Sequence, residues 1–170
     1  MSTSVYAVSI IVHILAAATW IGGMLFMIFS LIPAVRRLDD FQLRARLIRE
    51  TGIRFRLVGW ISLAVLFVSG LTNLATRGIP HAALLHPPFW NSGYGRMLAA
   101  KIIIFLVILA VSAIHDWHIG PRASAASLLD AHAPEAIRAR RLASQFGRLN
   151  LLLALTMLTL GVLLSRGLTG

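Results

Sequence analysis

The stretch VYAVSIIVHILAAATWIGGMLFMIFSLI, residues 5–32, decides the fold of this 170-residue chain, because it carries no charged side chain. A helix that crosses the hydrocarbon core of a bilayer needs about 20 predominantly apolar residues. Three further segments meet or closely approach this requirement: residues 57–76, 97–118 and 149–165. The sequence therefore predicts an all-α fold, an integral membrane four-helix bundle that forms a single transmembrane domain over residues 1–170.

The composition excludes several other classes of protein. Charged residues make up 13% of the chain, about half of what a soluble domain uses, so a water-facing surface could not be covered. The net charge of +10 does not indicate a nucleic-acid partner, because the basic residues avoid the long apolar stretches instead of lining one solvated face. The absence of Cys excludes disulfides, thiolate metal sites, iron–sulfur clusters and c-type haem.

The distribution of arginine predicts the orientation in the membrane. Residues 33–56 contain seven Arg and residues 116–148 contain five, whereas Arg77, Arg96 and Arg166 are the only ones elsewhere. Loops rich in Lys and Arg stay in the cytoplasm. The two Arg-rich segments should therefore face inward, and both termini and the loop 77–96 should face outward.

The two inward connections have different patterns. The first carries apolar residues at helical spacing among its arginines, which predicts an interfacial amphipathic helix between spans 1 and 2. The second begins with residues 121–134, PRASAASLLDAHAP, which we interpret as a loop of small residues. Pro134 and Glu135 then resemble the start of a helix that runs into the fourth span.

Polar side chains inside the predicted spans are the first candidates for function, because ionisable groups are costly in hydrocarbon. His13 lies about eight residues into the first span, roughly 12 Å below its outer end. Lys101, the only lysine, enters the third span to a similar depth, and Asn73 lies in the outer half of the second. Lys101 either snorkels to the head groups or turns inward towards His13, and its position leaves both open. With Trp20 on the His13 face, these are the candidate cofactor-binding residues.

A metal ion is one ligand that these residues could hold. Imidazole suits copper, zinc and iron, and methionine suits Cu(I). Met24 and Met27 share the His13 face of the first helix, where core packing is the competing interpretation. His81 and His86 lie in the Pro-rich outer loop and could form an entry site. The predicted metal ligands are therefore His13, His81, His86, Met24 and Met27, and no catalytic residue can be named.

The motifs in these spans resemble those of the copper-resistance protein D (CopD) family. Residues 13–26, HILAAATWIGGMLF, are similar to the family's His and Trp-x-Gly-Gly opening, and residues 94–101, YGRMLAAK, to its Tyr-Gly-Arg-x-Leu-x-x-Lys signature. By matched motif, the following residues carry over as the family's characteristic positions: His13, Trp20, Gly22, Gly23, Tyr94, Gly95, Arg96 and Lys101.

This resemblance implies a multi-pass protein of the bacterial inner membrane with both termini in the periplasm. It implies a role in copper binding, transport or homeostasis, with a copper ion as ligand and a periplasmic copper-binding protein as partner. The lipid bilayer is the other partner, no nucleic acid is expected, and a homo-oligomer is left open. Whether the chain is an enzyme is not decided by these features.

A more distant resemblance supplies an alternative. HemJ-type protoporphyrinogen oxidases have a His in the first span and a Lys in the third, which His13 and Lys101 match. That similarity implies a membrane redox protein that holds b-type haem. A structural or assembly subunit without a ligand is the second alternative.

Overall fold

The structure is a computed structural model that describes residues 3–76, 79, 81–130 and 133–166. Within these residues every regular element is a helix, and the order along the chain is α1 Thr3–Phe26, a π-helical turn Met27–Leu31, α2 Ile32–Val35, α3 Phe41–Thr76, a 3₁₀ turn His81–Leu85, α4 Pro87–Asn91, α5 Gly93–Ile114, a π-helical turn His115–Ile119, α6 Gly120–Leu129 and α7 Pro134–Ser165.

Four continuous helical stretches among the described residues are long and apolar enough to cross a membrane. They are span 1, Ser4–Val35; span 2, Phe41–Thr76; span 3, Gly93–Leu129; and span 4, Pro134–Leu164. The first three contain the segments predicted from the sequence in full, and span 4 contains all of the predicted segment 149–165 except its last residue. The prediction of an all-α membrane bundle is thus confirmed.

The four spans form an up-and-down bundle. Helix α1 packs along α3, α5 packs along α7, and α1 also contacts α7. The ring of Phe67 in α3 stacks on that of Phe105 in α5, with 6.1 Å between centroids. Each span therefore neighbours the next. The start of α1, the segment 81–95 and the end of α7 lie at one end of the bundle, here called the outer end, and α6 lies at the opposite, inner end.

The buried core draws on all four spans. It consists of Trp20, Met24, Leu63, Ile108, Leu151 and Ala154. Large apolar side chains also cover the outside of the bundle: Phe29 is 71% exposed and Leu152 is 62% exposed. Exposed apolar surface of this kind is expected where the surrounding solvent is lipid, because lipid tails are as apolar as leucine.

Two prolines that were expected to end helices lie within helical stretches. Pro33 and Pro121 each follow a π-helical turn by two residues, and in these turns the N–H groups of Ile32 and Gly120 bond to the carbonyls five residues back. Proline lacks an N–H and its ring clashes with the carbonyl four residues earlier, and the wider π turn accommodates both effects. The predicted loop over 121–134 is therefore wrong, since α6 continues to Leu129.

The basic segment between spans 1 and 2 is helical, as predicted, but it is not a separate element. Helix α3 runs without a break from Phe41 to Thr76, about 54 Å at 1.5 Å per residue. A bilayer core is about 30 Å thick, so the Arg-rich first half of α3 extends beyond the apolar part of the bundle at its inner end. The predicted helix that begins at Pro134 is confirmed as α7, which is continuous with span 4.

Candidate metal site in the outer half of the bundle

Small residues bring α1 and α3 close enough for His13 to lie against α3. Trp20 is buried and faces Gly59, while Gly23 faces the ring of Phe55, so closely that a Cβ at residue 23 would overlap that ring. Towards the outer end, Cε1 of His13 lies 3.7 Å from the position that a Cβ on Gly70 would take. Close approach through small residues is the usual packing mode of membrane helices.

The imidazole of His13 is held by one hydrogen bond whose direction can be assigned. Its Nδ1 lies 2.8 Å from Oγ of Ser69, and that same Oγ donates its proton to the carbonyl of Val65 at 2.6 Å. A serine hydroxyl has a single proton to donate, so towards His13 it acts as an acceptor. Nδ1 of His13 therefore carries the ring proton.

This assignment leaves the other ring nitrogen, Nε2, with a free lone pair. Nε2 makes no hydrogen bond among the described residues. A ring fixed through Nδ1 with Nε2 unprotonated is the state in which histidine binds metals. Ser69, the hydrogen-bond partner of His13, is itself held in place, because Oγ of Ser9 donates to the carbonyl of Ser69 at 3.2 Å and both serines are buried.

Lys101 lies near the level of this histidine and is directed into the bundle. Lys101 is one helical turn outward of Phe105 on α5. The ring of Phe105 stacks on that of Phe67 on α3, and Phe67 is two residues inward of Ser69, the partner of His13. Nζ of Lys101 lies 3.8 Å from the position that a Cβ on Gly161 of α7 would take. The inward orientation, one of two left open by the sequence, is therefore the one that the structure shows.

Asn73 adds a buried polar atom to the same half of the bundle. It follows Ser69 by one turn of α3, and its Oδ1 is buried with no hydrogen-bond partner among the described residues. Buried polar atoms are nearly always satisfied. Asn73 thus leaves an unsatisfied carbonyl oxygen one helical turn outward of Ser69, the partner of the histidine.

Of the two outer-loop histidines, the structure describes the side chain of His86, and this residue is not brought into a cluster with His13. His86 is exposed in the segment before α4, and the side chain of His81 lies outside the described residues. No group of three or more His, Asp or Glu side chains that could hold a metal occurs in the described part of the chain. The role of the two loop histidines stays a prediction.

The methionines of the first helix lie far from His13 along the helix axis. Met24 is buried in the core and Met27 begins the π-helical turn. Met24 is eleven residues beyond His13, about 16 Å at the rise of an α-helix. An ion bound to His13 cannot also touch Met24, so these two methionines stay candidates only for a separate, deeper position.

The most extensive polar cluster of the inner half joins α3 to the π-helical turn after α5. Asp116 accepts a hydrogen bond from Nε1 of Trp60 at 2.9 Å, pairs with Nδ1 of His115 at 3.0 Å, and its backbone carbonyl accepts from Arg56 at 3.2 Å. Trp60 also stacks on Trp117 at 5.0 Å. We call Arg56, Trp60, His115 and Asp116 the inner clamp. These contacts with α3 could not be predicted from the sequence, because the partners are more than fifty positions apart along the chain.

The Tyr-Gly-Arg motif has a structural explanation at the outer end. Ser92 caps α5 by accepting a hydrogen bond from the N–H of Gly95 at 3.0 Å. A Cβ at residue 95 would overlap the carbonyl oxygen of Phe89, and the Tyr94 ring meets the Phe89 ring edge-on at 6.1 Å. The glycine is therefore required for α4 to fold back against α5.

Comparison with known proteins gives two matches. The family model described as Copper resistance protein D matches residues 49–164, which include span 3 and Lys101 but not His13. An uncharacterized protein of Aquifex aeolicus (strain VF5) is 31% identical over 156 residues, which cover 91% of this chain and 92% of that protein. No solved structure is significantly similar to the chain.

Proposed function

The chain belongs to the copper resistance protein D family, and from this premise we propose that it binds a copper ion in the outer half of the bundle, with His13 as the principal ligand. In this proposal the protein serves copper transport or homeostasis in the bacterial inner membrane, with both termini in the periplasm. Copper is its cargo, and a periplasmic copper-binding protein delivers the ion to the outer end.

One arrangement carries the proposal: Nδ1 of His13 lies 2.8 Å from Oγ of Ser69, which donates its own proton to Val65, and from this we assign the ring proton to Nδ1 and a free lone pair to Nε2. An idle imidazole is costly inside a membrane span. Protein-bound metals use histidines whose other nitrogen is held by a hydrogen-bond acceptor. The Ser9–Ser69 pair supplies that support without a charged group.

The charges around the site favour a monovalent ion. All six acidic residues of the chain lie in the segments 39–50 and 116–135, at the inner end. The cationic Lys101 lies near the His13 level instead, where its repulsion for an ion grows with the charge of that ion. Neutral donors and a nearby ammonium are a better match for Cu(I) than for divalent copper or zinc.

The loop at the outer end supports an entry position in this proposal. His86 is exposed there, and Trp90 anchors the segment by donating to the carbonyl of Leu84 at 2.9 Å. We propose that His81 and His86 receive copper from the periplasmic protein before it reaches His13.

The test is metal analysis of the protein purified under anaerobic, reducing conditions, together with an absorption spectrum. We expect one Cu(I) per chain at the outer site, and we expect His13→Ala to abolish it, because the change removes the principal donor. His118→Ala is the matched control: His118 is exposed at the inner end, and its loss should leave the copper content unchanged.

Two results would contradict the proposal. Full copper occupancy in the His13→Ala variant would show that His13 is not the ligand. A Soret band in the parent protein, without copper, would favour the haem-binding alternative.

A further inference from the structure

One face of α7 lines the interior of the bundle over the outer half of the helix. Asn150, Ala154, Met157 and Gly161 follow one another at intervals of four, three and four residues, the spacing of a single helix face. Three of them are fixed to the interior by contacts. Asn150 donates to Ser112 of α5 at 2.8 Å, Ala154 is 1% exposed within the core, and Gly161 faces Nζ of Lys101.

Met157 therefore lies on the interior face between two anchored positions. Its side chain is partly buried and packs against the core cluster. It lies one turn outward of Ala154 and one turn inward of Gly161, which places it between the apolar core and Lys101.

Contacts between the spans place His13 of α1 within about one helical turn of the level of Met157. Nζ of Lys101 faces Gly161, so Met157 lies near the level of Phe105, which is one turn inward of Lys101 on α5. Phe105 stacks on Phe67, and Phe67 is two residues inward of Ser69, the partner of His13. Helices α1 and α7 contact each other. Side chains of a helix lean towards its N-terminus, so the imidazole leans outward and the thioether inward, and the three rotatable bonds of the methionine side chain span the remaining offset.

We propose that the sulfur of Met157 is the second copper ligand beside Nε2 of His13, and that it makes the site selective for Cu(I). This inference rests on the proposed function. A thioether is a neutral, soft donor that selects Cu(I) over harder divalent ions. Methionine is unbranched with three rotatable bonds, so its sulfur can adjust to the ion without movement of the backbone.

The inference assigns a role to a residue that the sequence alone did not indicate. Met24 and Met27 were candidates because they lie on the same helix as His13. Their positions along that helix are too far towards the inner end for them to reach an ion bound to His13. Met157 comes from the opposite end of the chain, and only the packing of α1 on α7 brings it to the required level.

The test compares Met157→Leu with Met24→Leu in the full-length protein. Cu(I) affinity is measured by competition with a coloured Cu(I) chelator, and the copper ligands by X-ray absorption. Loss of a supporting residue alone costs 10–100-fold in metal affinity, so loss of a direct ligand should weaken Cu(I) binding by roughly tenfold or more. The copper–sulfur signal of the parent should disappear in Met157→Leu and persist in Met24→Leu.

A second variant separates loss of a ligand from loss of folding. Met157→His restores a donor at the same position, and we expect it to recover binding while shifting the preference from Cu(I) towards divalent copper or zinc. An unchanged sulfur signal and affinity in Met157→Leu would overturn the inference and leave the proposed function standing. A parent protein that binds no copper would overturn the proposed function itself.

Discussion

At the scale of single residues, the His13–Ser69 hydrogen bond is the most specific feature of the outer site. Ser69 holds the ring in one tautomer by accepting from Nδ1 while it donates to Val65. Its removal would free the ring to rotate and to place its proton on Nε2. In the proposed site, the serine therefore acts on copper through the histidine, without touching the ion.

We expect Ser69→Ala to lower copper affinity by about 10–100-fold, the usual cost of losing a partner that orients a metal ligand. Thr72→Ala is the matched control, because Thr72 makes the same backward bond, to Val68 at 3.0 Å, without contacting His13. Chelator competition on both variants checks the prediction. Equal effects in the two would show that Ser69 acts only through the helix.

The candidate site could be predicted from the sequence only in part, because some of its residues are unusual within a membrane helix and others are not. His13 and Lys101 are conspicuous as ionisable groups in apolar segments. Ser69 and Met157 are not, because a serine or methionine in a membrane helix is ordinary until its partner is known. Their roles depend on how α1 is rotated against α3 and α7, which periodicity within one helix does not determine.

At the scale of elements, the inner clamp joins span 2 to span 3 where contacts between them are otherwise few. Both carboxylate oxygens of Asp116 are used, one by Trp60 and one by His115. The π-helical turn His115–Ile119 positions this carboxylate. We interpret the clamp as a structural feature that fixes the inner ends of the spans.

We expect Asp116→Asn to destabilise the bundle by about 1–3 kcal/mol, the cost of weakening hydrogen bonds to a partly buried carboxylate, while copper affinity stays within severalfold of the parent. Asp39→Asn, at an exposed position before α3, is the control. Thermal unfolding in detergent and chelator competition check the two parts. A large loss of copper binding in Asp116→Asn would place the clamp on the copper path.

The elements also show where prediction from the sequence succeeded and where it failed. All four spans could be located, because each needs only an apolar run of sufficient length. The ends were less certain, since Pro33 and Pro121 were taken as helix breakers. In each case the backbone widens into a π turn two residues earlier, an adjustment that depends on packing and is not encoded by the proline alone.

At the scale of the whole molecule, three layers follow one another along the bundle. The outer half holds the His13 site with Lys101, the middle is the apolar core around Trp20 and Ile108, and the inner half holds the clamp. Copper that crosses the membrane would have to pass the apolar middle layer. Met24 is the one soft donor within that core cluster, which supports its candidacy for a deeper position.

The orientation of these layers gives the last prediction. The two inward segments carry twelve of the fifteen arginines, and a bias of this size retains them in the cytoplasm. The His13 site should then open towards the periplasm, on the side of the proposed copper donor. The chain has no cysteine, so single cysteines can be introduced without background labelling.

Arg166→Cys and Glu135→Cys lie at exposed positions close to the two ends of span 4. In spheroplasts, a membrane-impermeant maleimide should label the cysteine at 166 at once and the one at 135 only after permeabilisation. The reverse pattern would place the His13 site on the cytoplasmic side. It would also require copper to be taken from the cytoplasm, where a periplasmic donor has no access, so the labelling decides the direction from which this site is loaded.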